Sequence, residues 1–444
     1  MRAEYKFLGA FALILVIFAV FSRQVGFHDS YEYITVAKSI AGINNITIFN
    51  THPIVYPFII AIFLKILGSL TIIKLLNVIW VFLIGLVLLV WLKNKKAFII
   101  FALSPLTWFI SIQTTPILPA GFFFLLSYIF LKKENIKFNK IYSGFFLGLS
   151  FAFYTPMLLL GGIFILIYFW NENLSAFAKY SASFIFGALP TFILDWYYFK
   201  NPIYSTIRYF GGNLVVLLGL HATSTTFNFL KSFTPILILI AISPFLFRIY
   251  KLNFKENKKE IIFLGIISLI FILRVPQIKY FFLISPIFIL LLAKVISWKE
   301  VKWHAIISVI LIIFLTFGFF VSINDAVIDK DIHKVILDFN QSYFIAGSYE
   351  APKFATFLWE DSPKIIWFED YEASLNKSEN LKEYSFLTEP RIDTRELIEF
   401  SVNFKRPKNI SYENPIFISE KKDLMKDKFE LIKCYELLCA YENE

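Results

Sequence analysis

The chain has 444 residues, 57% of them hydrophobic and 19% aromatic, with 54 Phe and a mean hydropathy of +0.65. Soluble domains carry about 25% charged residues, so a chain at 17% is excluded from that class over most of its length. Its formal charge of +10 is no nucleic-acid footprint: residues before 324 hold 27 Lys/Arg against 9 Asp/Glu, and the rest hold 16 against 24, which is the pattern of a basic membrane domain with orientation signals in its short loops and an acidic soluble tail.

The first apolar run, Lys6 to Phe21, has the length of a signal peptide. No small-residue cleavage site follows it and further spans do, so it reads as a retained helix over 6–22. Next comes "VGFHDSYEYITVAKSI" at 25–40, which predicts a short helix over 29–42 lying at the membrane surface. Asp29 and Glu32 are spaced i, i+3 and fall near one face of it. Asp29 stands at its N-terminal end, where a carboxylate either caps free N–H groups or serves an active site. The segment 53–68, "PIVYPFIIAIFLKILG", is apolar but holds two prolines and Lys65. It is either a span or an interfacial helix.

Spans are then expected over 71–92, 97–113, 117–131, 140–154, 156–170, 177–199, 232–249, 260–273, 280–296 and 303–322. If 53–68 lies in the interface, the loops on one side, with their flanks, hold 18 Lys/Arg. The positive-inside rule then gives 11 spans, a cytoplasmic N-terminus and an extracytoplasmic C-terminal domain. Under that topology Glu4, Glu134, Glu172, Glu256, Glu260 and Glu300 are solvated charges on the cytoplasmic side. Asp29, Glu32 and Asp195 remain at the outer face. Residues 324–444 alternate β-like and helical runs, among them "SYFIAGS", "APKFATFLWE" and "KIIWFED". The expected fold is a mainly α polytopic membrane domain, 1–323, whose external loop 23–70 carries interfacial helices, followed by a small soluble α/β domain, 324–444, with a partly parallel sheet. Cys434 and Cys439 either pair across a terminal hairpin or stay as buried thiols. Asn-x-Ser/Thr triplets occur at Asn45, Asn376 and Asn409.

The order of these segments resembles the membrane-embedded glycosyltransferases of the GT-C superfamily, which include protein O-mannosyltransferases and lipid A aminoarabinose transferases. The resemblance is carried by Asp29 with Tyr33, by His52-Pro53, and by Leu67-Gly68 at the end of the interfacial segment. It continues in "LSPLTWF" (103–109), "FFLGLSFAFYTP" (145–156), "ALPTFILDWYYFKNPIYS" (188–205) and "RVPQIKYFFLISPIFILLLA" (274–293). The resemblance implies transfer of a sugar from a polyprenyl-phosphate carrier, within the lipid bilayer, to a glycan, lipid or protein acceptor at the outer face. It implies Asp29 as general base, with Glu32 beside it. A leaving lipid phosphate needs a cation, and Lys279, which precedes Tyr280 in the matching motif, and Arg274 come first, then Arg208; the alternative for each is head-group anchoring. Tyr33, His52, Tyr280 and Asp195 are further substrate-binding candidates.

The sequence departs from the family pattern where Ser30 replaces the second acid of the Asp-Glu pair. The loop "TTPILPA" also has no acid. His28, His52, Asp29, Glu32, His221 and Asp195 permit a divalent metal without a spacing that demands one. A transporter or flippase for a lipid-linked substrate is the rival reading, though paired halves and polar groups at mid-membrane are lacking. A non-catalytic GT-C-like scaffold is the third.

Overall fold

Asn94 and Pro105 punctuate the first half of the chain, and both act as their chemistry dictates. In the computed structural model, which describes residues 2–21, 28–43, 53–133, 135–170, 172–207, 209–210, 251–274, 278–320, 324–339, 343–346, 350–359, 364–367, 416–420 and 429–442, the Asn94 side chain accepts from the Ala97 N–H at 3.0 Å and starts a helix. The expected single helix over 97–113 is two: α5, Lys95–Ala102, and α6, Pro105–Ser111. Ser104 between them is extended, at φ −67° and ψ 125°. A residue before proline is pushed out of the helical region, while proline itself suits a first helical turn.

The other helices follow the apolar runs. They are α1 (Arg2–Phe21), α2 (His28–Ala41), α3 (Val55–Leu67), α4 (Leu70–Leu86, continued as a π-turn over Val87–Trp91), α7 (Ile117–Lys132), α8 (Asn139–Phe153), α9 (Met157–Phe169), α10 (Leu174–Phe199), α11 (Phe254–Arg274), α12 (Phe281–Val295, entered by a 3-10 turn Ile278–Tyr280), α13 (Trp298–Phe320) and α14 (Asn324–Phe339). Among the described helices, Leu70–Trp91 and Leu174–Phe199 have both the length and the apolarity to cross a bilayer; Tyr5–Phe21, Ile117–Lys132, Met157–Phe169 and Phe281–Val295 are apolar and shorter. The span expected over 232–249, together with His52, Arg208, His221, Glu134, Asn45, Asn376 and Asn409, lies outside the described residues, as do the side chains of His28 and Arg274.

Contacts divide the chain into two units. The first is Met1–Ser22, Thr71–Ile193 and Phe227–Val321. Its helices are joined by polar bonds between their side chains and main chains. Ser127 and Ser143 hydroxyls meet at 3.1 Å between α7 and α8, Ser150 donates to the Ala120 carbonyl at 2.7 Å, and Thr191 of α10 donates to the Ala152 carbonyl at 2.7 Å. Phe124, Phe164 and Phe263 pack edge-on or tilted between α7, α9 and α11, with centroids 5.4–5.8 Å apart. Glu260 corrects the expectation of solvated inner acids. It is 1% exposed, pairs with Lys132 at 2.6 Å and accepts from the Tyr128 hydroxyl at 3.3 Å. The reason is that α11 begins at Phe254 rather than at 260, so Glu260 stands inside the helix and turns to α7. A buried carboxylate persists only with such partners.

The second unit is Arg23–Leu70, Leu194–Thr226 and Ser322–Glu444. Its strands β1 (Tyr343–Ala346), β2 (Lys364–Trp367), β3 (Ile416–Glu420), β4 (Glu430–Cys434) and β5 (Leu438–Glu442) form one sheet in the order β2-β1-β3-β5-β4. β1 is parallel to β2 and β3, and the β3–β5 and β5–β4 pairs are antiparallel. A helix, α15 (Glu350–Phe357), connects β1 to β2, as a parallel crossover requires. Cys434 and Cys439, opposite each other across the β4–β5 hairpin, are disulfide-bonded. Asp331 of α14 accepts from the Leu437 and Leu438 N–H groups at 2.7 and 3.2 Å, and Asp338 accepts from Lys433 at 2.6 Å and the Tyr435 hydroxyl at 2.7 Å. Those bonds seat α14 on the hairpin.

Candidate active site

The stretch around Asp29 is helical because its apolar and aromatic positions recur on faces that neighbours cover. Tyr31, Tyr33, Ile34, Thr35, Val36, Ala37 and Lys38 are all buried. α3 packs against α2, with the Tyr33 and Tyr56 rings edge to face at 5.5 Å. α3 ends at Gly68, whose φ of 56° is the left-handed stop a glycine supplies, with its N–H on the Leu64 carbonyl at 2.8 Å. Tyr33 thus packs between α2 and α3. Asp29 and Glu32 are half-buried, and Asp29 is in the first turn of α2, where the helix dipole favours the ionised carboxylate.

Lys38 escaped assignment from sequence. It is fully buried, and its ammonium donates to the carbonyls of Ala355 (3.4 Å), Thr356 and Leu358 (2.8 Å). It also lies 4.0 Å from the centre of the Trp359 ring. Burial pushes its pKa down to about 7, against the pull of Asp329 on α14. No local pattern announces such a residue, because its acceptors are main-chain atoms more than three hundred positions away.

Asp195, near the end of α10, is also buried. Its two oxygens accept from the Ser205 N–H at 2.8 Å and the Ser205 hydroxyl at 2.6 Å, which fixes the turn after the helix. In the first unit, Lys279 is 8% exposed and lies in the 3-10 turn that runs directly into α12. The N-terminal end of a helical run favours an anion, and a lysine there adds a full positive charge. Its Nζ is 5.5 Å from the centre of the Tyr280 ring. Tyr280 stacks on Tyr154 at 6.2 Å and meets Phe271 at 5.9 Å. Arg274 is the last residue of α11. Among the described residues no three His, Cys, Asp or Glu side chains gather as a metal site would need. The structure thus groups Asp29, Glu32, Tyr33 and Asp195 in one unit and Arg274, Lys279 and Tyr280 in the other.

No protein-family model matches the chain, and no curated protein matches it by sequence. Solved structures do. A crystal structure of ArnT from Cupriavidus metallidurans bound to undecaprenyl phosphate superimposes with a TM-score of 0.65 at 9% identity, over 100% of this chain and 98% of that one. The chain shares the fold of that ArnT structure. The same enzyme in its apo state gives a TM-score of 0.63, again at 9% identity and over 100% and 98% of the two chains. The resemblance carried by Asp29, the α3 segment and the Lys279-Tyr280 motif therefore agrees with the fold as a whole. The likeness extends over the C-terminal residues, since it covers 100% of this chain. The fold is shared at 9% identity because a helical bundle asks mainly for apolar faces and helix stops, which many residues satisfy.

Proposed function

We propose that this chain is an integral membrane glycosyltransferase. It takes a sugar from a polyprenyl-phosphate-linked donor and moves it to a glycan, lipid or protein acceptor at the outer face of the cell membrane. The observation that carries this reading is the full-length likeness to an ArnT structure holding undecaprenyl phosphate. In the proposed step an acceptor hydroxyl attacks the anomeric carbon while Asp29 takes its proton. The bond from that carbon to the phosphate oxygen breaks, and the electron pair leaves with the lipid phosphate. Lys279 and Arg274 hold that phosphate, and Glu32 tunes Asp29 from one turn away on α2. Lys279 is supported by its burial at the start of a helical run, where a phosphate gains from both the dipole and the ammonium.

Binding of undecaprenyl phosphate to the purified protein tests the donor class. Lys279→Met, which keeps the stem and removes the charge, is expected to weaken it by roughly tenfold to a hundredfold, the worth of a charge-assisted hydrogen bond. Arg274→Ala is expected to do the same. If both variants bind like the parent, the phosphate is held elsewhere and Arg208 is next.

The proposed orientation has 11 spans, the N-terminus in the cytoplasm and the C-terminal unit outside. It requires α3 to lie in the interface. That is supported by its buried face (Tyr56, Pro57, Ile60, Ala61, Leu64) and by the exposed Lys65 in its last turn. Reporter fusions after residues 95 and 255 should then read as cytoplasmic and one after 340 as external. An external signal at 95 would make α3 a span and invert every later loop, which would put Asp195 and Lys279 on the side opposite Asp29.

A further inference from the structure

We infer that Lys38 is a positioning residue for Asp29, and that α15, which belongs to the same unit as α2, sets the rotation of α2. The inference rests on the reading of Asp29 as the base. Three side chains of α2 meet α15: the Tyr31 ring packs against Phe357 at 6.3 Å, the Thr35 hydroxyl is 3.4 Å from that of Thr356, and Lys38 holds the carbonyls of Ala355, Thr356 and Leu358. The Thr356 hydroxyl also donates to the Tyr31 carbonyl at 3.3 Å. Positions 31, 35 and 38 recur at steps of four and three, so they share one face. Asp29 is nine residues before Lys38, about two and a half turns at 3.6 residues per turn, and so points from the opposite side of the helix. α15 is thus the backstop against which the Asp29 face of α2 is presented.

The choice of an ammonium for this contact is informative. The carbonyls at the end of a helix have no partner within it; those of Ala355 and Thr356, with that of Leu358 just past α15, converge on Lys38 Nζ. A buried charge is a costly way to gain stability, since an apolar side chain of the same size is often as good. Three directional bonds instead fix where α2 sits and how it is turned. Misplacement of a reacting group by about 1 Å costs on the order of a hundredfold in rate, so an orienting contact acts on kcat even where it adds little to stability.

The test uses the full-length protein in lipid nanodiscs. Binding is read with undecaprenyl phosphate. Turnover is read as undecaprenyl phosphate released from undecaprenyl-phosphate-linked hexoses and pentoses, with native membrane lipids and glycans as acceptors. Lys38→Met is expected to bind undecaprenyl phosphate within about twofold of the parent and to lose roughly tenfold to a hundredfold in kcat per folded molecule. Thr35→Cys with Thr356→Cys, added to Lys38→Met, places two thiols where the hydroxyls are 3.4 Å apart, and the native cysteines are already paired. Oxidation should tether α2 to α15 and restore kcat; the reduced form should stay slow. Unchanged kcat in Lys38→Met, or a loss that the tether does not restore, overturns the inference. If Lys38→Met does not fold, Thr356→Val drops only the hydroxyl contacts and should cost about threefold in kcat; no loss there overturns it equally. Asp29→Asn is run alongside. If it stays active, the base reading falls and takes this inference with it, as does a parent protein that releases nothing. An inactive Asp29→Asn beside a fully active Lys38→Met sinks the positioning role alone.

Discussion

Asp29→Asn is expected to fold, to bind undecaprenyl phosphate like the parent, and to lose about 10²–10⁴-fold in turnover, the usual cost of removing a general base. The substitution is nearly isosteric. Asparagine keeps an oxygen that can cap the first turn of α2, and as a helix cap it ranks with aspartate. What disappears is the charge, with a dipole interaction of about 0.3–1 kcal/mol, and the ability to accept a proton. The loss should therefore appear in kcat and not in the amount of folded protein or in donor affinity. Glu32→Gln, one turn further along α2, should be milder. Single-turnover measurements on a preloaded undecaprenyl-phosphate sugar separate the chemical step from binding. If Asp29→Asn turns over within about threefold of the parent, well short of the cost of a lost base, Asp29 is a helix cap, and the scaffold and transporter readings gain ground.

Asp29 stands out in the sequence because it breaks a rule: a carboxylate stands at the exit of an apolar helix, inside an order of motifs that marks a fold. The helix that carries it was readable too, expected over 29–42 and found as His28–Ala41, because its apolar period is regular. The break at Ser104 is written in Pro105, yet the apolar run continues through it and hides it. The π-turn at Val87–Trp91 has no local signature, since the same apolar residues suit either winding. Glu260 was misjudged because a helix start six residues earlier moves a side chain from loop to core, and boundaries are where pattern is weakest. Lys38 shows the deeper limit. Its residue type and spacing are those of any surface lysine on an amphipathic helix. Only the return of the chain at Ala355–Leu358 turns it inward, and main-chain carbonyls leave no trace in residue identity.

Close packing of α8 on α10 makes the largest stability prediction, because it leaves no room for a single methyl. A Cβ on Gly148 would strike the Phe184 carbonyl and come within 2.9 Å of Ala188 N and Gly187 Cα. A Cβ on Gly187 would strike the Phe145 carbonyl and lie 3.0 Å from Leu149 N. One turn away, a Cβ on Gly144 would strike the Tyr180 carbonyl and the Ser183 hydroxyl. Gly144 and Gly148 are four apart, the spacing that lets two helices approach backbone to backbone. Rotamer changes cannot relieve a clash with main chain, so the helices must separate, and the Thr191 bond to the Ala152 carbonyl goes with the contact. Gly148→Ala should therefore cost about 3 kcal/mol, at the upper end of overpacking, even though alanine is the better helix former by about 1 kcal/mol. Gly162 on α9 is the internal control: nothing lies within 4 Å of a Cβ there, so Gly162→Ala should be neutral or slightly stabilising. In detergent the apparent Tm of Gly148→Ala should fall by about 5 °C or more, while that of Gly162→Ala holds or rises. Equal melting of the two variants would mean that α8 and α10 do not meet at their glycines, and the packing of that face would have to be redrawn.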